Sequence, residues 1–399
     1  MDEEVRFEAT MEEDETDGIA TEVDFSDAVV WGTDWTIETI ARQIAKGNID
    51  LNPSFQRRDA WTKKEKSKLI ESLMLGIPVP PIVLAEDSKN RNRYIVIDGK
   101  QRLLSIMQFY ADCQSIKGEM EEGKYETLTL SGLEILQFLN KATYSEVPDK
   151  YLANIDNGTI RTIAIKHWPD ENFLYTVFLR LNTGSKKLSP QELRQALKPG
   201  DFLNYLDTAS ADSEALRKML NNTQPDKRMR DVELALRYFG FKYYITDYKG
   251  NLRDFMDSTC EKLNQAWAEK EDEIREDFLQ LEKAIKFVFS LFSVHPFGRY
   301  SDGKSSRSFN RCIFELFSFY FSRKDIRDRV RKNKDKFKNE FISLNDKAEF
   351  SQSLEAYPKQ TDKVVSRFNQ FADLLISLDS EPLKNIDKYI CVGSGIEVK

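Results

Sequence analysis

The side chains best suited to chemistry stand in three short polar clusters at the ends of apolar runs. They are Gln56-Arg57-Arg58, Asp98-Gly99-Lys100-Gln101-Arg102 and Arg180-Leu181-Asn182-Thr183-Gly184. Each lies where a strand or helix gives way to a turn, the place where a rigid scaffold presents functional groups. Together they offer a carboxylate, several amides, cations and two glycine turns. That mixture suits a polyphosphate: Arg and Lys neutralise its charge, amides and turn N–H groups bind its oxygens, and a carboxylate holds Mg²⁺. On this reading Asp98 is the metal ligand, and Asp98, Gln101 and Arg102 act in catalysis. Gln56, Arg57, Gly99, Lys100, Asn182, Thr183 and Gly184 then hold the nucleotide. The plainer alternative makes each cluster a turn with surface ion pairs, and spacing alone does not choose between the two.

Other chemistries are excluded or weakened by residue type. The chain has two histidines, His167 and His295, too few for an HNH nuclease or an H-E-x-x-H zinc site. The four cysteines are scattered without a C-x-x-C pair, which fits reduced thiols in a cytoplasmic protein. Gly118–Lys124 has the G-x-x-x-x-G-K outline of a phosphate loop. Tyr125 replaces the Ser or Thr that would touch magnesium, however, and three glutamates fill the spacer. Gly393-Ser394-Gly395 lacks the spacer residues of a nucleophile elbow and reads as a flexible end. No apolar run approaches the length of a membrane span, and no secretory signal opens the chain.

The elements that position these clusters follow from periodicity. Thr36 is placed to cap a helix with Ile37, Ile40, Ala41 and Ile44 on one face, and Gly47 suits its end. Thr62 and Glu65 have capping-box spacing before Leu69, Ile70, Leu73 and Met74, and Gly76 with the following prolines ends that helix. Two strand-like runs, 81–85 and 94–97, form a hairpin that leads through the Asp98 turn into a helix at 103–110. Such a turn leaves helix N–H groups open to an anion. Residues 112–156 read as an irregular charged insertion, and 159–166 as a third strand with a helix after it. Ser189-Pro190-Gln191-Glu192 is a strong helix start. Beyond Gln195 the pattern is helical to about Phe350 and again over 361–378, with one strand-like run at 241–245. The fold class expected is α+β, a small mixed domain followed by a mostly α-helical one.

Charge is unevenly spread. The first 27 residues hold twelve Asp and Glu against Arg6, a net of −11; with the whole chain at −7, the remainder carries +4. The expected organisation is an acidic disordered tail over 1–30, a nucleotide-binding domain over 31–198, a helical domain over 199–380 and a flexible tail over 381–399. Arg299, Lys304, Arg307 and Arg311 form a basic loop, and 323–338 a Lys/Arg-rich helix; both are candidates for DNA contact. Asp325, Asp328 and Asp335 interrupt that helix and favour a plain solvated face.

Several blocks, taken in order, resemble the N-terminal domain family of GmrSD-type restriction systems. They are Asn52-Pro53-Ser54-Phe55-Gln56-Arg57, Trp61, the run KSKLIESLMLGIPVPP over 66–81, IDGKQRL over 97–103 and FLRLNTGSKKLSPQELR over 178–194. Residues 229–238 and 250–256 echo the family's helical region. The resemblance implies a fold like the ParB and sulfiredoxin domains, with the D-G-x-Q-R turn at a nucleotide pocket and a role in governing a nuclease. Asp98, Gly99, Gln101 and Arg102 match that signature, while Lys100 stands where many members have Gln. Relatives usually append an HNH nuclease, for which this chain lacks the histidines. The expected function is therefore an NTP-binding, Mg²⁺-dependent NTP-hydrolysing regulator of a defence system. It would act with a nucleoside triphosphate and a separate nuclease subunit. The alternative is a nucleic-acid sensing module without turnover.

Overall fold

Val29–Thr36 forms the first strand, β1, and Thr36 ends it by capping helix α1 (Ile37–Ala45), its hydroxyl accepting from the Thr39 N–H at 3.1 Å. Ile37, Ile40, Ala41 and Ile44 are all buried, as the helical period requires. After the two-residue strand β2 (Ile49–Asp50) comes helix α2 (Lys63–Met74). Thr62 and Glu65 close its capping box: the Thr62 N–H donates to Glu65 Oε2 at 2.8 Å, and the Glu65 N–H to Thr62 Oγ1 at 3.3 Å. Strands β3 (Ile82–Glu86) and β4 (Tyr94–Asp98), helix α3 (Lys100–Tyr110), helix α4 (Asp149–Asn157), strand β5 (Thr159–Lys166) and helix α5 (Pro190–Leu197) complete the unit.

The sheet order is β1-β5-β3-β4-β2, with β1/β5 and β3/β4 antiparallel and β5/β3 and β4/β2 parallel. Strand β3 shows how the two faces are filled. Ile82 and Leu84 point into a core shared with α1, α2 and α3, while Val83 and Ala85 point into a second core with Phe173, Leu174 and Leu193. The period of two along a strand sends alternate residues to opposite layers, so a strand covered on both sides is apolar throughout.

This computed structural model describes residues 28–51, 61–87, 90–120, 123–170, 173–174, 176–177, 180, 189–301, 303–355 and 358–399. It divides into two compact units, one within residues 19–197 and one that includes 198–399. The second is mostly helical. Its helices are α6 (Asp201–Asp212), α7 (Glu214–Met219), α8 (Arg230–Tyr244), α9 (Leu252–Gln265), α10 (Trp267–Leu291), α11 (Arg311–Phe321), α12 (Lys324–Lys332), α13 (Lys334–Asn345), α14 (Ala348–Glu355) and α15 (Thr361–Ser377). A mixed α+β domain followed by a helical region is thus the architecture. Among the described residues no helix is long and apolar enough to cross a membrane.

Four expectations are corrected. The strand-like run 241–245 ends helix α8, because Val232, Ala235, Leu236 and Phe239 already fix a helical face in the core. The expected irregular insertion 112–156 ends in helix α4 from Asp149, and its Leu128, Leu130, Leu133, Leu136 and Leu139 enter the first core. The buried Glu71 carboxylate also accepts from the N–H groups of Glu134, Ile135 and Leu136 at 3.1, 2.8 and 2.7 Å. The flexible tail over 381–399 is a hairpin of β8 (Tyr389–Val392) and β9 (Gly395–Val398), numbered after the short pair β6 (Tyr300–Ser301) and β7 (Lys304–Ser305). Tyr389 and Ile396 anchor it in the helical core, and the Asn369 amide pairs with both the N–H and the carbonyl of Tyr389, at 2.9 and 2.8 Å. An amide side chain here does the work of a neighbouring strand. Order also begins before residue 31, since β1 starts at Val29; the acidic residues 1–27 lie outside the described residues.

Candidate functional site

Strand β4 delivers Asp98 to the edge of the sheet, and one residue, Gly99, turns the chain into α3. Its φ of +99° lies in the region that only glycine adopts freely. A Cβ there would also sit 3.0 Å from Ile82 Cγ1 and 3.2 Å from Arg102 Nη2. The conformation demands glycine, and the space for a side chain is tight. No side chain caps α3, so this helix start lacks the usual Ser, Thr or Asp partner.

Arg102 folds back across the turn. Its Nη2 donates to Asp98 Oδ2 at 2.9 Å and to the Pro81 carbonyl at 3.1 Å, which ties β4, α3 and the segment before β3 together. The Asp98 side chain remains nearly half exposed, whereas that of Arg102 is mostly covered. Its Nε is buried without a partner, and so is Oε1 of the adjacent Gln101.

Lys100 points the other way, into the protein, with 4 % of its surface exposed. Its Nζ lies 3.1 Å from Glu192 Oε1, and that glutamate is itself buried. Glu192 Oε2 accepts from the Ser189 N–H at 2.7 Å, while Ser189 Oγ accepts from the Glu192 N–H at 3.2 Å. A single carboxylate therefore caps α5 and holds the Asp98 turn. Sequence reasoning saw Glu192 as a helix cap and missed its partner, since 92 positions separate it from Lys100.

Of the expected nucleotide-binding residues, Gln56, Arg57, Asn182, Thr183 and Gly184 lie outside the described residues. The structure does bring the Asp98 turn to the helix that follows them in sequence. Helix α5 adds two residues that were not among the expected site residues. Gln191 and Gln195 are buried, and Nε2 of the first and both polar atoms of the second lack a partner.

The described residues contain no cluster of three or more His, Cys, Asp or Glu able to hold a metal by themselves. Asp98 fits a more modest role. Mg²⁺ is commonly held by one or two carboxylates together with substrate phosphates, and Asp98 is partly exposed beside an uncapped helix start.

The basic loop of the helical unit is divided. Arg299 is ion-paired with Glu355, and Arg311 Nε lies 3.3 Å from Glu233 Oε1. Lys304 and Arg307 are exposed. The cations over 323–338 largely serve the fold. Arg327 donates to the carbonyls of Phe321 and Ser322 at 2.6 and 2.8 Å, Lys336 donates to that of Ser377 at 2.6 Å, and Arg323 and Arg329 hold carbonyls over 381–385.

Residues 37–197 match the family model described as the GmrSD restriction endonuclease, N-terminal domain. No curated protein and no solved structure matches the chain. The matched segment runs from the first residue of α1 to the last of α5 and so contains the glycine turn, its arginine clasp and the buried Lys100–Glu192 pair. Residues 37–197 are accordingly similar to a GmrSD-type N-terminal domain.

Proposed function

We propose that this domain binds a nucleoside triphosphate at the Asp98–Arg102 turn and hydrolyses it with Mg²⁺, as the regulatory part of a restriction or phage-defence system acting with a separate nuclease. The observation that carries the reading is the uncapped start of α3, reached through an obligatory glycine and flanked by Arg102 with a buried, unpartnered Nε. A helix start that no side chain caps attracts phosphate oxygens. Asp98 is the residue to hold Mg²⁺, which when bound neutralises phosphate charge and polarises the bond to be broken. Arg102 stabilises charge that develops on the transferred group, and Gln101 orients the attacking water. Lys100 has a different part from the one its type suggests: with its ammonium committed to Glu192, it fixes the turn rather than the phosphate.

The test is binding and phosphate release with ATP, GTP, CTP and UTP, using wild type, Asp98→Ala and Arg102→Ala. Loss of one preorganised donor costs about 10²–10³ in turnover, and a loss of that size is expected for Arg102→Ala. Wild-type turnover in both variants would remove both residues from the site.

A further inference from the structure

We infer that the polar face of α5 reads the base of the bound nucleotide, with Gln195 as the specificity-determining residue; this rests on the nucleotide reading above. Buried polar groups in this unit are unevenly satisfied. Buried polar atoms nearly always have a hydrogen-bond partner, because leaving one unpaired forfeits its hydration for nothing. Among the described residues, five buried side-chain polar atoms on two short segments of this unit lack one. They are Gln101 Oε1, Arg102 Nε, Gln191 Nε2, Gln195 Nε2 and Gln195 Oε1.

Gln195 is the extreme case: it is 0 % exposed and neither end of its amide is satisfied. The same unit treats another buried glutamine differently, for Gln108 Oε1 accepts from Lys66 Nζ at 2.8 Å. Helix α5 packs Leu193 and the partly buried Leu197 into the second core. Gln191, Glu192 and Gln195 share the opposite side, since residues three and four apart are neighbours on a helix. Glu192 on that side grips Lys100, so the unpaired amides stand on the side of α5 that is tied to the start of α3.

The chemistry of the vacancies selects the ligand. A phosphate offers only acceptors, and Gln101 Oε1 and Gln195 Oε1 would repel it. An amide with donor and acceptor both open matches a base edge, which places a donor beside an acceptor; glutamine pairs in this bidentate way with adenine N6 and N7 in nucleic-acid recognition. The triphosphate lies at the α3 start, and the base lies against α5.

Gln195→Met keeps the length of the side chain and removes both hydrogen-bonding atoms. The experiment measures binding of the four nucleoside triphosphates, and of inorganic tripolyphosphate as a ligand without a base, to the full chain and to this variant. Melting of each without ligand is recorded alongside. The expected result is unchanged tripolyphosphate affinity and a loss of roughly tenfold or more for the preferred nucleotide, the range set by one bidentate base contact. On the wild-type chain, an analogue of the preferred nucleotide whose base lacks its exocyclic group should show the same loss, whether or not the variant folds. Wild-type nucleotide binding with an unaltered ranking in Gln195→Met would overturn the base-reading role alone; a buried water on Gln195 predicts that outcome, with a change only in melting. Equal weakening of tripolyphosphate and nucleotides would overturn it too. A wild-type chain that binds none of the four nucleotides removes both this inference and the proposed function.

Discussion

Replacing Lys100 by Met tests whether the pair with Glu192 is the joint between the Asp98 turn and α5. Both side chains are buried, 4 % and 8 % exposed, and their charged atoms are 3.1 Å apart. Removing the ammonium leaves a carboxylate in the interior with its Ser189 contact but without a counter-charge. Losing one partner of a buried pair costs about 3–5 kcal/mol. For a unit of this size each kcal/mol is about 2–4 °C, so the transition of the N-terminal unit should fall by roughly 10 °C. Glu192→Gln in the same background removes the stranded charge, and a glutamine at that position still accepts from the Ser189 N–H. The double variant should therefore recover most of the loss, leaving about 1 kcal/mol. The assay is a double-mutant cycle on the full chain by urea unfolding, with hydrogen exchange over 100–110 and 190–197 to assign the transition. Additive losses, or a Lys100→Met loss below about 1 kcal/mol, would refute the joint. The cycle also separates structure from chemistry. Below its lowered transition, Lys100→Met should bind tripolyphosphate more weakly and the double variant should regain most of that binding, because the ammonium faces Glu192 and acts by holding the turn.

Gly99→Ala combines a φ of +99° with a Cβ 3.0 Å from Ile82 Cγ1, so a loss of about 1–3 kcal/mol is expected in thermal melting, with weakened phosphate binding. Asp226→Asn removes the acceptor that Arg230 Nη2 meets at 2.7 Å in the helical unit, and about 3 kcal/mol should go with it. Burial opposes ionisation of Asp226, but Arg230 and Asn222 outweigh it and hold the carboxyl below its ordinary value. Its stabilisation is thus complete above the unfolded pKa and is lost as pH falls through the lower folded one. Wild type should lose stability below about pH 4 more steeply than the variant does in acid titrations followed by circular dichroism. Should the chain shift DNA at low salt, Lys304→Ala with Arg307→Ala should reduce the slope of log affinity against log salt by about 2. Arg299→Ala should instead affect melting, because Arg299 is paired with Glu355.

What the sequence disclosed follows the range of the forces involved. Thr36 before Ile37, Ile40 and Ile44, and Thr62 three residues before Glu65, are local patterns whose meaning is complete within one helix turn, and the structure repeats them. The glycine turn between β4 and α3 is equally local, so Asp98, Gly99 and Arg102 were legible with their neighbours. Long-range pairings left no such trace. Nothing near Tyr389 announces that the Asn369 amide will hold it as a strand, and nothing near 128–139 shows that its leucines will find a core beneath Glu71. Helix α8 shows the reverse failure. The β-prone residues at 241–245 carry a local preference that the buried face of a fifteen-residue helix overrides.

The site repeats this division and adds a constraint of its own. Lys100 faces inward. A neutral amide is tolerated in such a place with hydrogen bonds alone, but an ammonium demands a carboxylate. Glu192 supplies it without leaving the cap of α5. The consequence for the turn is electrostatic. Lys100 is balanced by Glu192 and Arg102 by Asp98, so these four groups contribute no net charge. On the nucleotide reading, what favours a polyphosphate within this turn is direction rather than sum: an uncapped helix start and the unpaired Nε of Arg102 aimed from fixed positions. Both depend on the buried pair staying intact. A residue that never touches phosphate then governs whether phosphate binds, by holding in place those that do.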